Sequence, residues 1–473
     1  MNPSVILPEL ILLTVTFVVL MVSACTRDSG ARISMWLSQL GLIAALLAVA
    51  AQIGAGGGVW FDGLFVNDPL SIVLKLTILL LSLMVLVYSR AYLSARGILR
   101  GEYLALLLFA VQGTMIMASA HHLLSIYLGL ELLSLSLYAM VAMQRDSKAA
   151  SEAAAKYFVL GAIASGMLLY GMSIIYGVTG TLAVDRIAGV LAGGEVPLVL
   201  SLFGTVFMVA GVAFKLGAAP FHMWLPDVYH GAPTAVTLFL GTVPKLAAYA
   251  MAVRILADAL GGLAQDWNAV IVVLALLSVA VGNVIAIAQS NIKRMLAYSA
   301  ISHIGYLLLG VAAGNSAGFA GALFYMIVYA LMSAGAFGMV VLMGADGTER
   351  DALDDFRGLS ARSPYYALLM LVLMFSMAGV PPFAGFWAKW FVLREVVGAG
   401  LPWVAVTAVV FSVIGAYYYL RVVRLMYFDE GEGEPVSPGA GEHWTLSLNT
   451  AAVLALGLVP GSLMLVCLAA LGA

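Results

Sequence analysis

The sequence is poor in charged residues and in cysteine. Asp, Glu, Lys and Arg make up 10% of its 473 residues, against about 25% in soluble globular domains, so a water-soluble protein is excluded. Cys25 and Cys467 lie at opposite ends of the chain, with no Cys-x-x-Cys pair, which excludes an iron–sulfur cluster or a zinc site within the chain. No phosphate-binding loop or dinucleotide fingerprint occurs. We therefore expect no cofactor in this chain.

A basic stripe is also missing. The 22 Lys and Arg residues nearly balance the 24 Asp and Glu residues, for a formal charge of −2, so nucleic acid is not an expected partner.

Long apolar runs dominate what is present. Hydrophobic residues make up 63% of the chain and the mean hydropathy is +1.05. About 20 apolar residues span a bilayer, and no alternating pattern suggests a barrel. The sequence predicts an all-α polytopic membrane protein, a single membrane domain over 1–473, with about fourteen segments: 4–24, 35–53, 68–89, 102–119, 121–143, 153–177, 197–220, 234–257, 268–288, 294–313, 317–344, 364–398, 402–427 and 446–470.

Basic residues alternate between the predicted loops. The even-numbered loops contain Arg186 and little else that is basic. Because cytoplasmic loops carry the excess of Lys and Arg, the odd-numbered loops are predicted to be cytoplasmic and both termini to face the opposite side of the membrane. The basic residues of the odd-numbered loops include Arg27, Arg32, Arg90, Arg96, Arg100, Arg145, Lys148, Lys293, Arg294, Arg350, Arg357, Arg362, Arg421 and Arg424.

Two apolar segments contain the same proline motif. Gly217-Ala-Ala-Pro220-Phe and Gly379-Val-Pro381-Pro382-Phe each lie within a hydrophobic run, and each is followed by a tryptophan. Proline removes a backbone donor and clashes with the preceding turn, so each helix should break there. Broken helices in corresponding halves are typical of transporters with internal repeats. Two unrelated proline kinks are the alternative.

Counting segments around the breaks defines two five-helix units. Residues 102–257 form the first and residues 268–427 the second, with the break in the fourth segment of each. An odd number of spans per unit predicts that the second copy is inverted relative to the first. Residues 1–101 and 428–473 then flank the repeats.

Five of the ionisable residues within the predicted spans are candidates for proton transfer. An ionisable group at this depth costs a few kcal/mol or more, so function is the default hypothesis. Burial and a nearby carboxylate shift a lysine pKa in opposite directions, so a Lys–Glu pair of changing separation can take up and release a proton. Structural roles, such as capping loose carbonyls, are the alternative for each of them: Glu131, Lys215, Lys245, His303 and Lys389. Lys75 is also central in its span, without a partner evident from the sequence.

Two motifs resemble a known family. Pro220-Phe-His-Met-Trp-Leu-Pro226-Asp-Val-Tyr229, followed by Gly231-Ala-Pro-Thr234, resembles the signature of the antiporter-like subunits of complex I, the proton-pumping NADH:quinone oxidoreductase. Asn291-Ile-Lys-Arg-Met-Leu-Ala-Tyr-Ser299, leading into His303, is similar to a second motif of that family. The chain stops after the last segment and carries a lysine at 389, which resembles the N-type branch rather than the L- or M-type.

The resemblance implies roles for the candidate residues. Glu131 and Lys215 would form a modulating pair, Lys245 a connecting lysine and Lys389 the terminal proton donor. His303 would bridge the two halves of a hydrated axis along the membrane.

The resemblance also implies partners. These would be other membrane subunits and a peripheral arm that carries flavin and iron–sulfur clusters, so that quinone and NADH act only through partners. The lipid bilayer and protons complete the expected partners.

Two rival interpretations stay open at this point. The first is a subunit of a multisubunit cation/proton antiporter or of a membrane-bound hydrogenase with the same fold. The second is a purely structural membrane subunit whose buried charges only orient helices.

Overall fold

Hydrophobic runs fold into helices throughout the described part of the chain, which comprises residues 3–26, 30–54, 56–194 and 196–472. Arg27, one of the loop charges named above, lies outside these residues. The all-α prediction is confirmed, apart from a short antiparallel hairpin that joins α2 to α3. The first elements are α1 (Leu7–Cys25), α2 (Gly30–Ala50), β1 (Gly58–Trp60), β2 (Phe65–Asn67), α3 (Pro69–Ala95), α4 (Gly101–Ala118) and α5 (Leu123–Val141).

The middle of the chain contains the first interrupted segment. After α8 the chain turns at Pro220, and two short helices, α9 and α10, precede α11. A π-helical turn, Val253–Ala259, extends α11. The helices are α6 (Lys148–Thr179), α7 (Val184–Ala192), α8 (Leu198–Leu216), α9 (Trp224–Gly231), α10 (Thr234–Leu240), α11 (Val243–Ala252), α12 (Ala264–Ile287) and α13 (Ile292–Ala312).

The last third contains the second interrupted segment. The predicted segment 364–398 is two helices of 15 residues each, α16 and α17. The final segment is also broken, since α19 and α20 meet at 85°. The helices are α14 (Ser316–Met343), α15 (Leu359–Arg362), α16 (Pro364–Ala378), α17 (Ala384–Gly398), α18 (Pro402–Tyr427), α19 (Ala440–Leu458) and α20 (Pro460–Ala470).

Fewer helices have the length and hydropathy of a membrane span than the fourteen segments predicted from the sequence. Among the described residues, 12 helical segments are long and apolar enough to cross a membrane, and the bent pair α19–α20 would make 13. The difference from fourteen comes from α16 and α17, each too short to meet the criterion alone. The count of fourteen therefore stays a prediction.

Loops of the same parity meet in space. The third and eleventh loops join through Arg96 and Glu349, whose side chains are 2.9 Å apart. The second and fourth loops join where the amide of Val66 donates to the carbonyl of Ser119. This grouping is what alternating spans require, and it gives the molecule two ends, called here the basic end (odd-numbered loops) and the opposite end (even-numbered loops).

Helices α11, α13 and α14 form the interior of the molecule. Nearly every residue of these three helices is buried. Asparagine caps start two of them, because the side chain of Asn291 accepts from the amide of Arg294 and that of Asn315 from Gly318. The candidate residues Lys245 and His303 lie on α11 and α13, so the fold places both at its centre.

Candidate proton-transfer site

The first break is a glycine-terminated helix end. Helix α8 stops at Leu216, and Gly217 adopts φ +85°, a left-handed conformation that only glycine adopts readily. The amides of Gly217 and Ala218 both donate to the carbonyl of Ala213. Pro220 follows in the turn before α9. The glycine stop therefore leaves the last carbonyls of α8 in need of donors from elsewhere.

Lys245 supplies one of those donors. Its ammonium donates to the carbonyl of Leu216 at 2.6 Å and lies 5.5 Å from the ring centre of Trp224. The side chain is buried. Lys245 thus contacts the residue that directly follows Lys215, which joins the two lysines through one backbone carbonyl.

Lys215 and Glu131 each bind a serine rather than each other. The Lys215 ammonium donates to Ser134 Oγ at 2.9 Å, and Ser165 Oγ donates to the Glu131 carboxylate. Among the described residues, no ion pair within 4 Å joins Lys215 to Glu131. Since Glu131 and Ser134 are one turn apart on α5, the acid and the lysine are neighbours separated by hydroxyl groups.

The second break repeats the glycine stop with a different lysine arrangement. Helix α16 ends at Ala378, and Gly379 adopts φ +87°. Lys389, on α17, donates to the carbonyl of Ala378 and to Ser412 Oγ, both at 2.8 Å. Pro381 and Pro382 form the turn between the two helices. One lysine therefore both caps the broken helix and contacts a serine hydroxyl.

Tyrosine side chains lie between Lys389 and His303. The Lys389 ammonium is 5.2 Å from the ring centre of Tyr306, which stacks on Tyr325 at 5.9 Å. The hydroxyl of Tyr325 is 2.7 Å from His303 Nδ1, and that of Tyr419 is 3.0 Å from Nε2. Both ring nitrogens of the histidine are thus engaged, so one can receive a proton while the other gives one up.

The tyrosines around His303 were not identified from the sequence. They come from α13, α14 and α18, and a tyrosine on a membrane helix is ordinarily assigned a packing role. A weak signal existed, because Tyr325 and Tyr329 lie one helical turn apart and both approach His303. No spacing rule could have joined them to Tyr419, which comes from a distant helix.

A gap remains between the two halves of the site. Among the described residues, no side-chain hydrogen bond links Lys245 on α11 to His303 on α13. The structure thus joins Lys215 with Lys245 through the end of α8, and places Lys389 and His303 around a shared group of tyrosine rings, but it does not join these two groups with each other.

Lys75 has a partner that the sequence did not reveal. Its ammonium lies 2.6 Å from Glu9 Oε1 and 4.6 Å from the ring centre of Phe65. Lys75 is fully buried, and Glu9 is nearly so. Glu9 was overlooked because an acid in the first turn of a helix is ordinarily explained by the helix dipole.

Ionic clusters gather at the basic end. Asp227 on α9 binds Lys156 at 2.7 Å and Arg294 at 2.6 Å. Burial disfavours ionisation of Asp227, but these two cations outweigh it and hold the pKa below the ordinary aspartate value. Burial also disfavours ionisation of Glu349, but Lys293 and neighbouring hydrogen-bond donors outweigh burial and hold the pKa of this carboxyl below the ordinary glutamate value. Both carboxylates are therefore ionised at neutral pH.

Known proteins share this sequence over most of its length. The family model described as "NADH:quinone oxidoreductase/Mrp antiporter, TM" matches residues 120–415. Subunit N of the NADH-quinone oxidoreductase of Thiobacillus denitrificans is 54% identical, over 98% of this chain and 97% of the relative. The chain belongs to the subunit N branch of this family. The resemblance seen in the motifs is therefore confirmed.

Solved structures agree with that membership. A chain of respiratory complex I from Thermus thermophilus with bound aureothin is 33% identical, covers 97% of this chain and 98% of its own length, and superposes with a TM-score of 0.82. A chain of the Mrp complex from Dietzia sp. reaches a TM-score of 0.88 at 22% identity, covering 99% of this chain and 97% of its own. The second likeness shows a shared fold alone.

Proposed function

We propose that this chain is the proton-translocating subunit N of a membrane-bound NADH:quinone oxidoreductase, and that redox chemistry takes place in partner subunits. The observation that carries the proposal is the pair of lysine-capped helix breaks inside an apolar fold. At the first break Lys245 donates to a backbone carbonyl and Lys215 to a serine hydroxyl, and at the second Lys389 does both. A lysine proton can be given up or regained over a short distance at either break. The 54% identity to a named subunit N supports the assignment of the complex.

The relay begins at Glu131 and Lys215. A change in charge or hydration, driven by quinone reduction elsewhere, alters the separation of these two groups across Ser134 and Ser165. Lys245 follows, because it shares the end of α8 with Lys215. Water in the gap after Lys245 carries the proton toward His303, and the proton then passes through the tyrosine-lined region between His303 and Lys389.

The two five-helix units are proposed to be inverted repeats over 102–257 and 268–427. What supports this is the matching chain path at the breaks, where glycines with φ of +85° and +87° end α8 and α16. Identical stops in the fourth segment of each unit are expected of duplicated units and are not required of unrelated kinks.

The setting follows from the family. We place the chain in the bacterial inner membrane beside other membrane subunits of the complex, with the basic end cytoplasmic and both termini periplasmic. Flavin and iron–sulfur clusters belong to the peripheral arm, so NADH and quinone affect this chain only through partners.

The test is NADH-driven proton pumping by the purified complex in vesicles, comparing wild type with Lys215→Met at equal subunit content. We expect the variant to lose pumping because Met cannot carry a proton, while Lys148→Met, an exposed control at the first residue of α6, pumps normally. Normal pumping by an assembled Lys215→Met complex would contradict the proposed relay. Absence of any NADH-dependent activity in the wild-type assembly would contradict the assignment of the complex and favour the antiporter or hydrogenase interpretation.

A further inference from the structure

A cavity away from the relay opens at the basic end of the molecule. Its volume is about 750 Å³, and it lies where α2 and α19 begin and α3 approaches its end. The lining combines charged and apolar side chains, chiefly Arg32, Trp36, Gln39, Arg90, Leu99 and Glu442. Neither the relay nor the loops around the breaks contribute to it.

Two guanidinium groups face this cavity without protein partners. Arg32 is in the first turn of α2 and Arg90 is near the end of α3. Within the described ranges, neither side chain takes part in a hydrogen bond or an ion pair, whereas Arg96, one turn and a half further along, binds Glu349. Two unpaired arginines in one cavity at the end of membrane helices are suited to bind a phosphate group.

A buried carboxylate faces the same cavity. Glu442, near the start of α19, is only 7% exposed, and no Lys or Arg nitrogen of the described residues lies within 4 Å of it. A carboxylate withdrawn from water is costly unless a cation or several donors compensate it. Arg32 and Arg90 line the cavity yet do not pair with Glu442, so the three charges leave room for an occupant that bears both signs.

Apolar side chains line another part of the cavity, beside the polar Gln39 and Ser94. Trp36 is 57% exposed, and Met35, Val87 and Leu99 continue the surface beside it. Tryptophan is enriched where a helix crosses the membrane–water boundary. An occupant with a charged head and a hydrocarbon tail fits this order of side chains.

We propose that this cavity binds a phosphatidylethanolamine molecule of the adjacent leaflet. Its phosphate is held by Arg32 and Arg90, its ammonium by Glu442, and an acyl chain lies along Trp36 and Leu99. A choline headgroup has no N–H to donate to Glu442. An anionic headgroup without an amine would leave that carboxylate uncompensated. The site is independent of proton transfer, since none of its residues belongs to the relay.

The experiment uses the purified complex in nanodiscs that contain a trace of lipid with a photoreactive acyl chain. Three probes share that chain and differ only in the headgroup: ethanolamine, choline or glycerol. Crosslinked peptides of α2, α3 and α19 are quantified by mass spectrometry. Arg90→Gln, the double variant Arg32→Gln/Arg90→Gln and Glu442→Gln are compared with Arg145→Gln, an exposed arginine of another loop at the same end. NADH:quinone activity and subunit content verify that each variant assembles.

We expect the ethanolamine probe to label these peptides most strongly. Arg90→Gln should reduce labelling by about tenfold, the loss of one charge-assisted contact, and the double variant should reduce it further. Glu442→Gln should remove the preference for ethanolamine over choline while labelling persists, and Arg145→Gln should change nothing.

Several results would overturn the proposal. They are equal labelling by ethanolamine and choline probes in the wild type, strongest labelling by the glycerol probe, or labelling unaffected by the three cavity variants. Displacement of the ethanolamine probe by inorganic phosphate would identify a free-anion site instead. Absence of labelling in the wild-type complex would mean that another occupant, such as a neighbouring subunit, fills the cavity.

Discussion

The two broken segments end their helices in the same way but distribute their lysines differently. At the first break, Lys245 takes the carbonyl of Leu216 while Lys215 binds Ser134. At the second, Lys389 alone takes the carbonyl of Ala378 and binds Ser412. Both breaks have a lysine that donates to the last carbonyl of the helix, because a helix that ends inside an apolar environment must find donors for its last carbonyls. The number of lysines that meet this need is not fixed by the break.

Charge around the two breaks differs as well. Asp227 and Lys389 both stand ten residues after the glycine that ends the preceding helix, yet one is an acid in a surface ion cluster and the other a partly buried lysine. Glu131 lies near the first break, whereas no Asp or Glu of the described residues is within 4 Å of Lys389. The first break therefore has an acid near its lysines, whereas the hydrogen-bond partners of Lys389 are backbone carbonyls and a serine hydroxyl.

The largest expected effect is that of Lys389→Met compared with Lys245→Met. Lys389 combines two contacts, so its loss should abolish pumping and also leave the carbonyl of Ala378 without a donor, at about 1–3 kcal/mol. Lys245→Met should lower pumping and expose the Leu216 carbonyl while the Lys215–Ser134 contact persists. Vesicle pumping and thermal unfolding of the purified complex measure both effects. Equal losses in both assays for the two variants would remove the distinction drawn here.

A second comparison uses the glycines themselves. Gly217→Ala and Gly379→Ala should each destabilise the protein by about 1–2 kcal/mol, because a left-handed backbone is unfavourable for alanine. A methyl group at 379 would lie 3.0 Å from Lys389 Nζ, while one at 217 would meet the side chain of Leu225 first. We therefore expect Gly379→Ala to reduce pumping more than Gly217→Ala at similar thermal stability. The reverse order would show that the position of Lys389 is not critical.

The serines give a third, smaller comparison. Ser412→Ala and Ser134→Ala each remove one hydroxyl that accepts from a lysine, a contact worth about 1 kcal/mol and so about fivefold in rate at most. Ser412→Ala should be the more harmful, since Ser134 has Glu131 nearby to stabilise the lysine in its place. Initial pumping rates at matched quinone-reductase activity test this order, with Ser173→Ala, an exposed serine on α6, as the control.

The smallest effect is expected at Asp227, the acid that stands where Lys389 stands in the second half. Asp227→Asn should leave pumping near normal and cost at most about 1 kcal/mol of stability, because its ion pairs are partly exposed. The folded pKa of Asp227 is lowered, so the stability it contributes is present above the ordinary aspartate pKa and is lost as the pH falls through the lowered value. Thermal unfolding between about pH 5 and 3 should be less pH-dependent in the variant. An unchanged pH dependence would indicate that the cluster does not stabilise the fold.

Local features were predictable from the sequence. Proline and glycine indicate where α8 and α16 end, and hydropathy locates most spans. Both signals are predictable because each depends on residues that are close together in the sequence. The alternation of Arg and Lys between loops anticipated the two ends of the molecule, because charge resists transfer across the membrane wherever it occurs in the chain.

Contacts between distant helices were not predictable. Ser134 and Ser412 look like ordinary small polar residues until the fold places them against Lys215 and Lys389. Lys75 seemed to lack a partner because Glu9 lies on another helix, far away in sequence. Which of many polar side chains meet depends on how helices pack, and one sequence carries no direct record of it.

The central part of the proposed relay, Lys245 and His303, is buried among α11, α13 and α14, and this burial has an electrical consequence. Mobile salt ions weaken interactions between exposed charges beyond about 8–10 Å in physiological solution, but they cannot enter a bundle whose central helices are almost wholly buried. Displacing a proton at one lysine therefore changes the field at the next with little attenuation by counter-ions. The apolar packing around α13 and α14 acts as insulation, and it lets a few charges influence one another along the length of the protein.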